Sequence, residues 1–235
     1  MNRKILIDVI KKLESENVIY ENEAQIQFEI GWKLRRHLLK LKINADVRIE
    51  FPARKIKKNS NGRKCNTPKV DIVVIIGDDY YPIELKYFRS ELQTPGYFIK
   101  GEGEVHMYGY AKDISKIEMF KKSYPDNFKI GYTIAFTNNT KVYNIYHTDN
   151  SRYRFKDFQL FNGENLEGEI WFLDQAKQQN YKTNKADYTV TIGKKDKYKY
   201  VVLDKVYPVN WNDYSIKIPN SPENAEFKFL INEIV

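Results

Sequence analysis

Two apolar runs separated by a short polar turn constrain the fold of this chain more than any other feature. Residues 70–76 read Val-Asp-Ile-Val-Val-Ile-Ile, residues 80–87 read Tyr-Tyr-Pro-Ile-Glu-Leu-Lys-Tyr, and Gly77, Asp78 and Asp79 stand between them. β-branched and aromatic residues favour strands, whereas glycine and aspartate favour tight turns. The pattern therefore predicts two antiparallel strands joined by a turn.

Three charged side chains interrupt these apolar strands, namely Asp71 on the first and Glu84 and Lys86 on the second. Because successive side chains of a strand alternate between the two faces of a sheet, Glu84 and Lys86 point the same way and Leu85 points the opposite way. Antiparallel pairing brings Asp71 beside them. Burying charge is costly unless it is paired or binds a metal, so we expect a divalent-metal site. The alternative is an ordinary ion pair on a solvated strand.

The residue types at this position suit magnesium. Mg²⁺ prefers oxygen ligands and keeps several waters, so one or two carboxylates are enough to bind it. We expect Asp71 and Glu84 to bridge such an ion, with the Leu85 backbone carbonyl as a third ligand. Lys86 is placed to orient or deprotonate an attacking water, or to stabilise charge on a phosphoryl oxygen. Metal-assisted hydrolysis of a phosphodiester needs these roles close together.

A helix predicted from about Glu21 to Leu41 supplies a further acid. Its apolar stripe consists of Ile26, Ile30, Leu34 and Leu38, widened by Phe28 and Trp32. Glu23 and Gln27 share the face that we expect to pack on the sheet, where a carboxylate requires a partner. The alternative is that both residues form the polar shoulder of an amphipathic helix. Glu21 is a competing acid, but it lies off that face.

The remaining periodicity completes a mixed α/β core. It predicts helices over residues 2–16 and 105–123, strands over 45–54 and 128–136, and a loop over 90–104. Asp113 lies on the second of these helices, where it either faces the site or caps a neighbouring segment. The order helix, strand, strand, strand, helix, strand predicts a central mixed β-sheet flanked by helices.

The composition changes beyond residue 150, where Tyr, Lys and Val dominate. Short strands are predicted over residues 152–160, 187–193, 198–206 and 214–218, with a polar connector over 174–186. We therefore expect a core over residues 1–150 and a β-rich C-terminal extension over 151–235. This extension either continues the same sheet or forms a small lobe.

The charge balance of the chain favours an anionic partner. Its 235 residues carry a formal net charge of +8, which suits nucleic acid and is equally typical of a lysine-rich proteome. A basic segment precedes the hairpin and contains Lys55, Lys57, Lys58, Arg63 and Lys64. We expect it either to contact nucleic-acid phosphates beside the site or to be a solvated loop.

The cysteine count and the apolar pattern indicate the cellular compartment that we expect for this chain. Cys65 is the single cysteine, so an intramolecular disulfide and a cysteine-based zinc cluster are both excluded, which fits a reducing cytoplasm. Charged residues recur so soon after the first residue that no apolar segment is long enough for a secretory signal. No apolar run reaches the length of a transmembrane helix, so no membrane partner is expected.

The order of these residues resembles the PD-(D/E)XK nuclease superfamily, which has the restriction-endonuclease-like fold. That family carries an acidic residue on a leading helix, then a strand hairpin bearing Asp and Glu-x-Lys, then a helix and another strand. The matching positions are Glu23 in Glu-Ala-Gln-Ile-Gln-Phe, Asp71 in Thr-Pro-Lys-Val-Asp, and Glu84-Leu85-Lys86. Here Pro68 stands three residues before Asp71 rather than directly before it. The resemblance covers residues 20–137 and not the C-terminal third.

The resemblance implies a role for each matched residue: Asp71 and Glu84 as metal ligands, Lys86 as the catalytic lysine, and Glu23 as an auxiliary ligand or water positioner. It implies a Mg²⁺-dependent nuclease that hydrolyses phosphodiester bonds of DNA, with Mn²⁺ as a substitute metal. The alternative is a catalytically inactive nuclease-fold protein that acts as a nucleic-acid-binding or protein-interaction module. Both readings are compatible with a homodimer.

Overall fold

The fold was obtained as a computed structural model. It describes residues 1–16, 18–53, 68–90, 92–94, 97–99, 106–144, 156–171, 191–192, 195–196, 200–216 and 225–235. The basic residues Lys55, Lys57, Lys58, Arg63 and Lys64 therefore lie outside the described residues.

The described chain contains helices on both sides of one large sheet. The helices are α1 (Arg3–Ser15), α2 (Glu23–Lys40), α3 (Met107–Ser123) and the short α4 (Thr140–Tyr143), with a 3-10 turn at Lys156–Phe158. The strands are β1 (Asp46–Pro52), β2 (Lys69–Ile76), β3 (Asp79–Phe88), β4 (Leu92–Thr94), β5 (Tyr97–Ile99), β6 (Gly131–Thr137), β7 (Asn165–Trp171), β8 (Thr191–Ile192), β9 (Lys195–Asp196), β10 (Tyr200–Pro208), β11 (Asn212–Ile216) and β12 (Ala225–Ile234). None of the described helices is long and apolar enough to cross a membrane.

Six strands form the central sheet in the order β1-β2-β3-β6-β12-β11. Strands β3 and β6 run parallel, and the other neighbours are antiparallel. A parallel pair needs a crossover connection, usually a helix, and α3 lies between β3 and β6 in the chain. The predicted mixed α/β class, with a central mixed sheet flanked by helices, is confirmed.

The two faces of the sheet bury different helices. Helices α1 and α2 pack on one face, where Leu34 and Leu85 belong to the same apolar cluster. Helix α3 packs on the other face together with the two-stranded sheet of β7 and β10, and Ile114 and Leu203 belong to that cluster. Because Leu85 points toward α1 and α2, its neighbours Glu84 and Lys86 point toward α3.

Buried polar contacts hold α3 in place on the sheet. The Tyr110 hydroxyl donates to Asn232 Oδ1 on β12 at 2.8 Å and accepts from Thr133 Oγ1 on β6 at 3.0 Å. Farther along α3, Glu118 Oε1 accepts from the Tyr207 hydroxyl of β10 at 2.8 Å. Paired polar groups of this kind specify one docking position, because any other would leave them buried without partners.

The start of α2 positions an acidic residue. The Asn22 side chain accepts from the Gln25 backbone N–H at 3.0 Å, which caps the first turn. The helix therefore begins at Glu23 and ends at Lys40, inside the predicted limits Glu21 and Leu41.

Several sequence predictions differ from the structure. Phe28 and Trp32 do not widen the buried stripe of α2, because their side chains are 59% and 50% exposed. The described part of the predicted strand over 152–160 contains a 3-10 turn, and the predicted loop over 90–104 contains β4 and β5. Strands β7 and β12 were not predicted, although β12 pairs with the central strand β6.

Gly131 provides a test of the packing between α3 and the sheet. A Cβ atom at Gly131 would overlap the Ile117 side chain of α3 and would lie 3.3 Å from the Phe128 ring. We expect Gly131→Ala to lower the free energy of unfolding by about 1–3 kcal/mol. Gly31→Ala is the matched control, since its Cβ would come no closer than 3.7 Å to Ile49 and alanine favours a helix by about 1 kcal/mol. Urea unfolding measures both, and an undiminished stability of Gly131→Ala would contradict the packing.

Candidate active site

The candidate site lies where strands β2 and β3 separate. Their pairing runs from Ile76 opposite Asp79 to Ile72 opposite Ile83, and the strands diverge beyond that pair. The backbone N–H of Leu85 consequently has no strand partner on this side and donates to Asp71 Oδ2 at 2.7 Å. A carboxylate therefore takes the place of the missing ladder hydrogen bond.

Glu23 satisfies a second backbone N–H of β3, two residues further along the strand. Its Oε2 atom accepts from the backbone N–H of Tyr87 at 3.0 Å. The acid at the start of α2 thus reaches β3 and joins the first helix layer to the end of the hairpin. Because N–H and C=O of one strand residue point to the same side, the Leu85 carbonyl also faces the gap that Asp71 borders.

The backbone opposite Asp71 is unusual. Strand β1 pairs Ile49 with Ile72 and Phe51 with Val70, while Glu50 between them has φ +58°, a left-handed conformation rare for a residue with a side chain. The Asp71 carbonyl accepts instead from Gln27 Nε2 of α2 at 2.8 Å. Gln27 therefore faces the sheet as predicted and satisfies the backbone of an acidic site residue. Non-glycine residues in this conformation concentrate at functional sites.

Glu84 is the most deeply buried charged residue of the site, with a side chain 1% exposed. Its Oε2 atom lies 2.6 Å from the Lys116 ammonium of α3. Its other oxygen, Oε1, is buried and has no hydrogen-bond partner among the described residues. An unsatisfied buried carboxylate oxygen is costly, and such groups are expected where a ligand or ion binds.

Asp113 of α3 links the two lysines of the site. Its Oδ2 lies 3.5 Å from Lys86 Nζ and its Oδ1 lies 3.5 Å from Lys116 Nζ. The Lys86 ammonium also lies 3.3 Å from both carboxylate oxygens of Glu23. The site as a whole thus contains the carboxylates Glu23, Asp71, Glu84 and Asp113 and the ammonium groups Lys86 and Lys116. Four carboxylates against two ammonium groups leave a formal charge of −2 when all are ionised.

Burial and this charge imbalance shift the pKa values of the two central acids. Burial raises the pKa of Asp71 to about 6, although the hydrogen bond from Leu85 N–H opposes the shift. Burial, followed by the nearby Asp113 and Asp71, raises the pKa of Glu84 well above its usual range. Shifts of this kind cluster at functional sites, where burial and like charges tune acids for their task.

The pKa values of the two lysines are raised, although burial alone would lower them. Burial lowers the pKa of Lys86, but the attraction of Asp113 and Glu23 outweighs it and raises the pKa above its usual range. Burial likewise lowers the pKa of Lys116, and Glu84 and Asp113 raise it by more. Both side chains are therefore ammonium cations at neutral pH.

The residues suit a hard divalent cation. Asp71, Glu84 and the Leu85 carbonyl offer oxygen atoms at the gap, and Oε1 of Glu84 lacks a partner. Among the described residues, no three His, Cys, Asp or Glu side chains already form a group that holds one ion. Mg²⁺ does not require such a group, since it binds through one or two carboxylates and completes its shell with water.

The structure brings together the residues singled out on the helix and the hairpin. Asp71 accepts from the Leu85 N–H, between Glu84 and Lys86 on β3. Glu84 and Glu23 are joined by a chain of ion pairs that runs through Lys116, Asp113 and Lys86. Glu21 lies outside these contacts: its carbonyl accepts from Arg89.

Lys116 is the site residue that sequence reasoning missed, and Asp113 proves to face the site rather than to cap another segment. The available signal is their spacing of three residues on a helix whose apolar stripe packs on the sheet. Residues at this spacing share a face, so both side chains point toward the sheet if either does. There Lys116 meets Glu84.

Searches of protein-family models, curated proteins and solved structures found no match to this chain. The conclusions about the site therefore rest on its geometry and its chemistry.

The raised pKa of Asp71 predicts a specific pH dependence of stability. Its folded-state pKa of about 6 exceeds the unfolded value of 3.8, so the folded state binds more protons between these values. Protonated Asp71 therefore stabilises the protein at low pH, and this contribution is lost as the pH rises through about 6.

We expect Asp71→Asn, which keeps an acceptor for Leu85 N–H, to remove this loss. The metal-free variant should gain up to about 3 kcal/mol relative to the parent between pH 4 and pH 7.5. Urea unfolding in the presence of a chelator measures the difference at each pH. A difference that stays constant with pH would contradict the assignment.

Proposed function

We propose that this protein is a metal-dependent nuclease with a restriction-endonuclease-like core that hydrolyses phosphodiester bonds of DNA. The observation that carries the proposal is the buried Glu84 carboxylate with a partnerless oxygen, beside Asp71 and Lys86 in a cluster of net negative charge. A divalent cation would neutralise that charge. Ordinary structural ion pairs leave no such excess, because each buried charge must be compensated.

The arrangement of elements supports the proposed fold. An acid-bearing helix, α2, precedes an antiparallel hairpin, β2 and β3, which is followed by α3 and the parallel strand β6. This is the order of the superfamily that the sequence resembles. Strands β11 and β12 continue the sheet beyond β6.

Each site residue has a separate role in the proposed hydrolysis. Asp71, Glu84 and the Leu85 carbonyl would hold Mg²⁺ or Mn²⁺, and the bound metal would supply an activated water and stabilise charge on the phosphate. Lys86 is fixed between Glu23 and Asp113. Because its pKa is raised, it acts as a cation that orients water or stabilises a phosphoryl oxygen, and not as a base. Glu23 positions Lys86 and the end of β3.

The surface charge supports an anionic substrate. The net charge of +8 is carried by the chain as a whole, even though the site itself is acidic. Basic side chains line a cleft between α1 and α2, where Lys12, Lys33, Arg36, His37 and Lys40 meet. Contacts of lysine and arginine with phosphates give binding that weakens steeply with salt. The proposed phosphate contacts of the segment before β2 belong to residues outside the described ranges.

The alternative function is a nucleic-acid-binding module without catalysis. One observation favours it: Lys116 already pairs with Glu84, so part of the buried charge is compensated without metal. This alternative predicts that DNA retention, measured by fluorescence anisotropy, is the same with Mg²⁺ and with chelator. Calorimetric titration with Mn²⁺ would then show no binding that Glu84→Gln abolishes.

The nuclease function predicts that Glu84→Gln and Lys86→Met each reduce cleavage by at least about 100-fold. The assay incubates circular and linear DNA with Mg²⁺, with Mn²⁺ or with a chelator, and a parallel RNA substrate tests the nucleic-acid class. Lys122→Met is the matched control, because Lys122 lies on α3 in an exposed ion pair 2.8 Å from Asp204. Cleavage by both site variants at the rate of the parent and the control would refute the proposal.

A further inference from the structure

Lys116 is the cation that lies closest to Glu84, the buried carboxylate that would hold a metal ion. Its ammonium lies 2.6 Å from Glu84 Oε2, the closest charged contact of the site. The distance is that of a charge-assisted hydrogen bond. A cation bound to Glu84 would therefore meet a second cation already in place, and the two would repel each other.

We propose that Lys116 is a resident counter-ion that competes with a divalent metal for the Glu84 carboxylate, so that Lys116 sets the metal affinity of the site. This inference rests on the proposed function, since it assumes that Glu84 is a metal ligand. It assigns Lys116 a positioning role distinct from that of Lys86, whose ammonium contacts Glu23 and Asp113.

The structure provides a second acceptor for the displaced ammonium. Asp113 Oδ1 lies 3.5 Å from Lys116 Nζ and stands one helical turn before it on the same face of α3. A lysine side chain is flexible, and that of Lys116 is 23% exposed. Lys116 therefore exchanges Glu84 for Asp113 by a rotamer change, without leaving its charge unpaired.

The same contact explains how the protein tolerates Glu84 before metal binds. A carboxylate with 1% exposure is strongly unfavourable without a partner. Lys116 is that partner in the metal-free protein, and its contact with Glu84 is broken when a divalent cation binds. The consequence is a site that folds without metal and binds metal more weakly than its ligands alone would allow.

The test is calorimetric titration of Mn²⁺ into the 235-residue protein, its Lys116→Gln variant and a Lys122→Gln control. Glutamine keeps a hydrogen-bond donor for Glu84 but removes the charge. We expect the dissociation constant for Mn²⁺ to fall by about tenfold in Lys116→Gln and to stay within twofold in the control, which makes the same charge change at the exposed pair with Asp204. An affinity of Lys116→Gln equal to or weaker than that of the parent would overturn the inference.

A fourth protein, Glu84→Gln, separates this inference from the proposed function. Loss of Mn²⁺ binding in Glu84→Gln, together with unchanged affinity in Lys116→Gln, would overturn the role of Lys116 and leave the metal site intact. No Mn²⁺ binding by the parent or by Lys116→Gln would overturn both.

Thermal unfolding with and without Mn²⁺ gives a second readout. Lys116→Gln should unfold at a lower temperature than the parent without metal and should show a larger rise in melting temperature when Mn²⁺ is added.

If Lys116→Gln does not fold, Lys116→Met combined with Glu84→Gln removes both charges and should restore the fold. Failure of that double variant would contradict the pairing of Lys116 with Glu84.

Discussion

The divergence of β2 and β3 determines where the acidic side chains of this protein must lie. Two backbone N–H groups of β3, those of Leu85 and Tyr87, face the gap between the strands. Asp71 and Glu23 accept their hydrogen bonds. The two carboxylates therefore have two roles: they accept hydrogen bonds from backbone N–H groups, and they border the candidate metal site. Replacing either by an apolar residue would remove a potential ligand and leave a buried donor without a partner.

The rest of the site follows from an imbalance of charge. Asp113 lies between two ammonium groups, and Glu84 is paired through only one of its oxygens. The raised pKa values of Asp71 and Glu84 reflect the free energy stored in this arrangement. A protein under selection for stability alone would fill such a position with apolar residues. The cost is understandable under the proposed function, in which the site binds a cation and acts on a phosphate.

Particular residues show how far the sequence can be read and where it fails. The hairpin was predictable because apolar runs, turn residues and alternation all agree over residues 70–87. Strand β12 was missed, because the alternation of Phe227 to Phe229 breaks down at Leu230 and Ile231, where both faces carry apolar residues. Phe28 and Trp32 are exposed because the helical period of 3.6 residues puts them on the side of α2 away from its buried stripe, so their apolar character alone was misleading.

The sequence by itself determined the hairpin, the mixed α/β class and the local order of Glu84, Leu85 and Lys86, because alternation and turn chemistry act over a few residues. Only the tertiary structure decided that Asp113 and Lys116 complete the site, and that Glu23 bonds to Tyr87. Those contacts depend on how α3 and α2 dock on the two sides of β3. Docking is set by packing between elements far apart in the chain, and local patterns do not encode which charged groups it brings within hydrogen-bond distance.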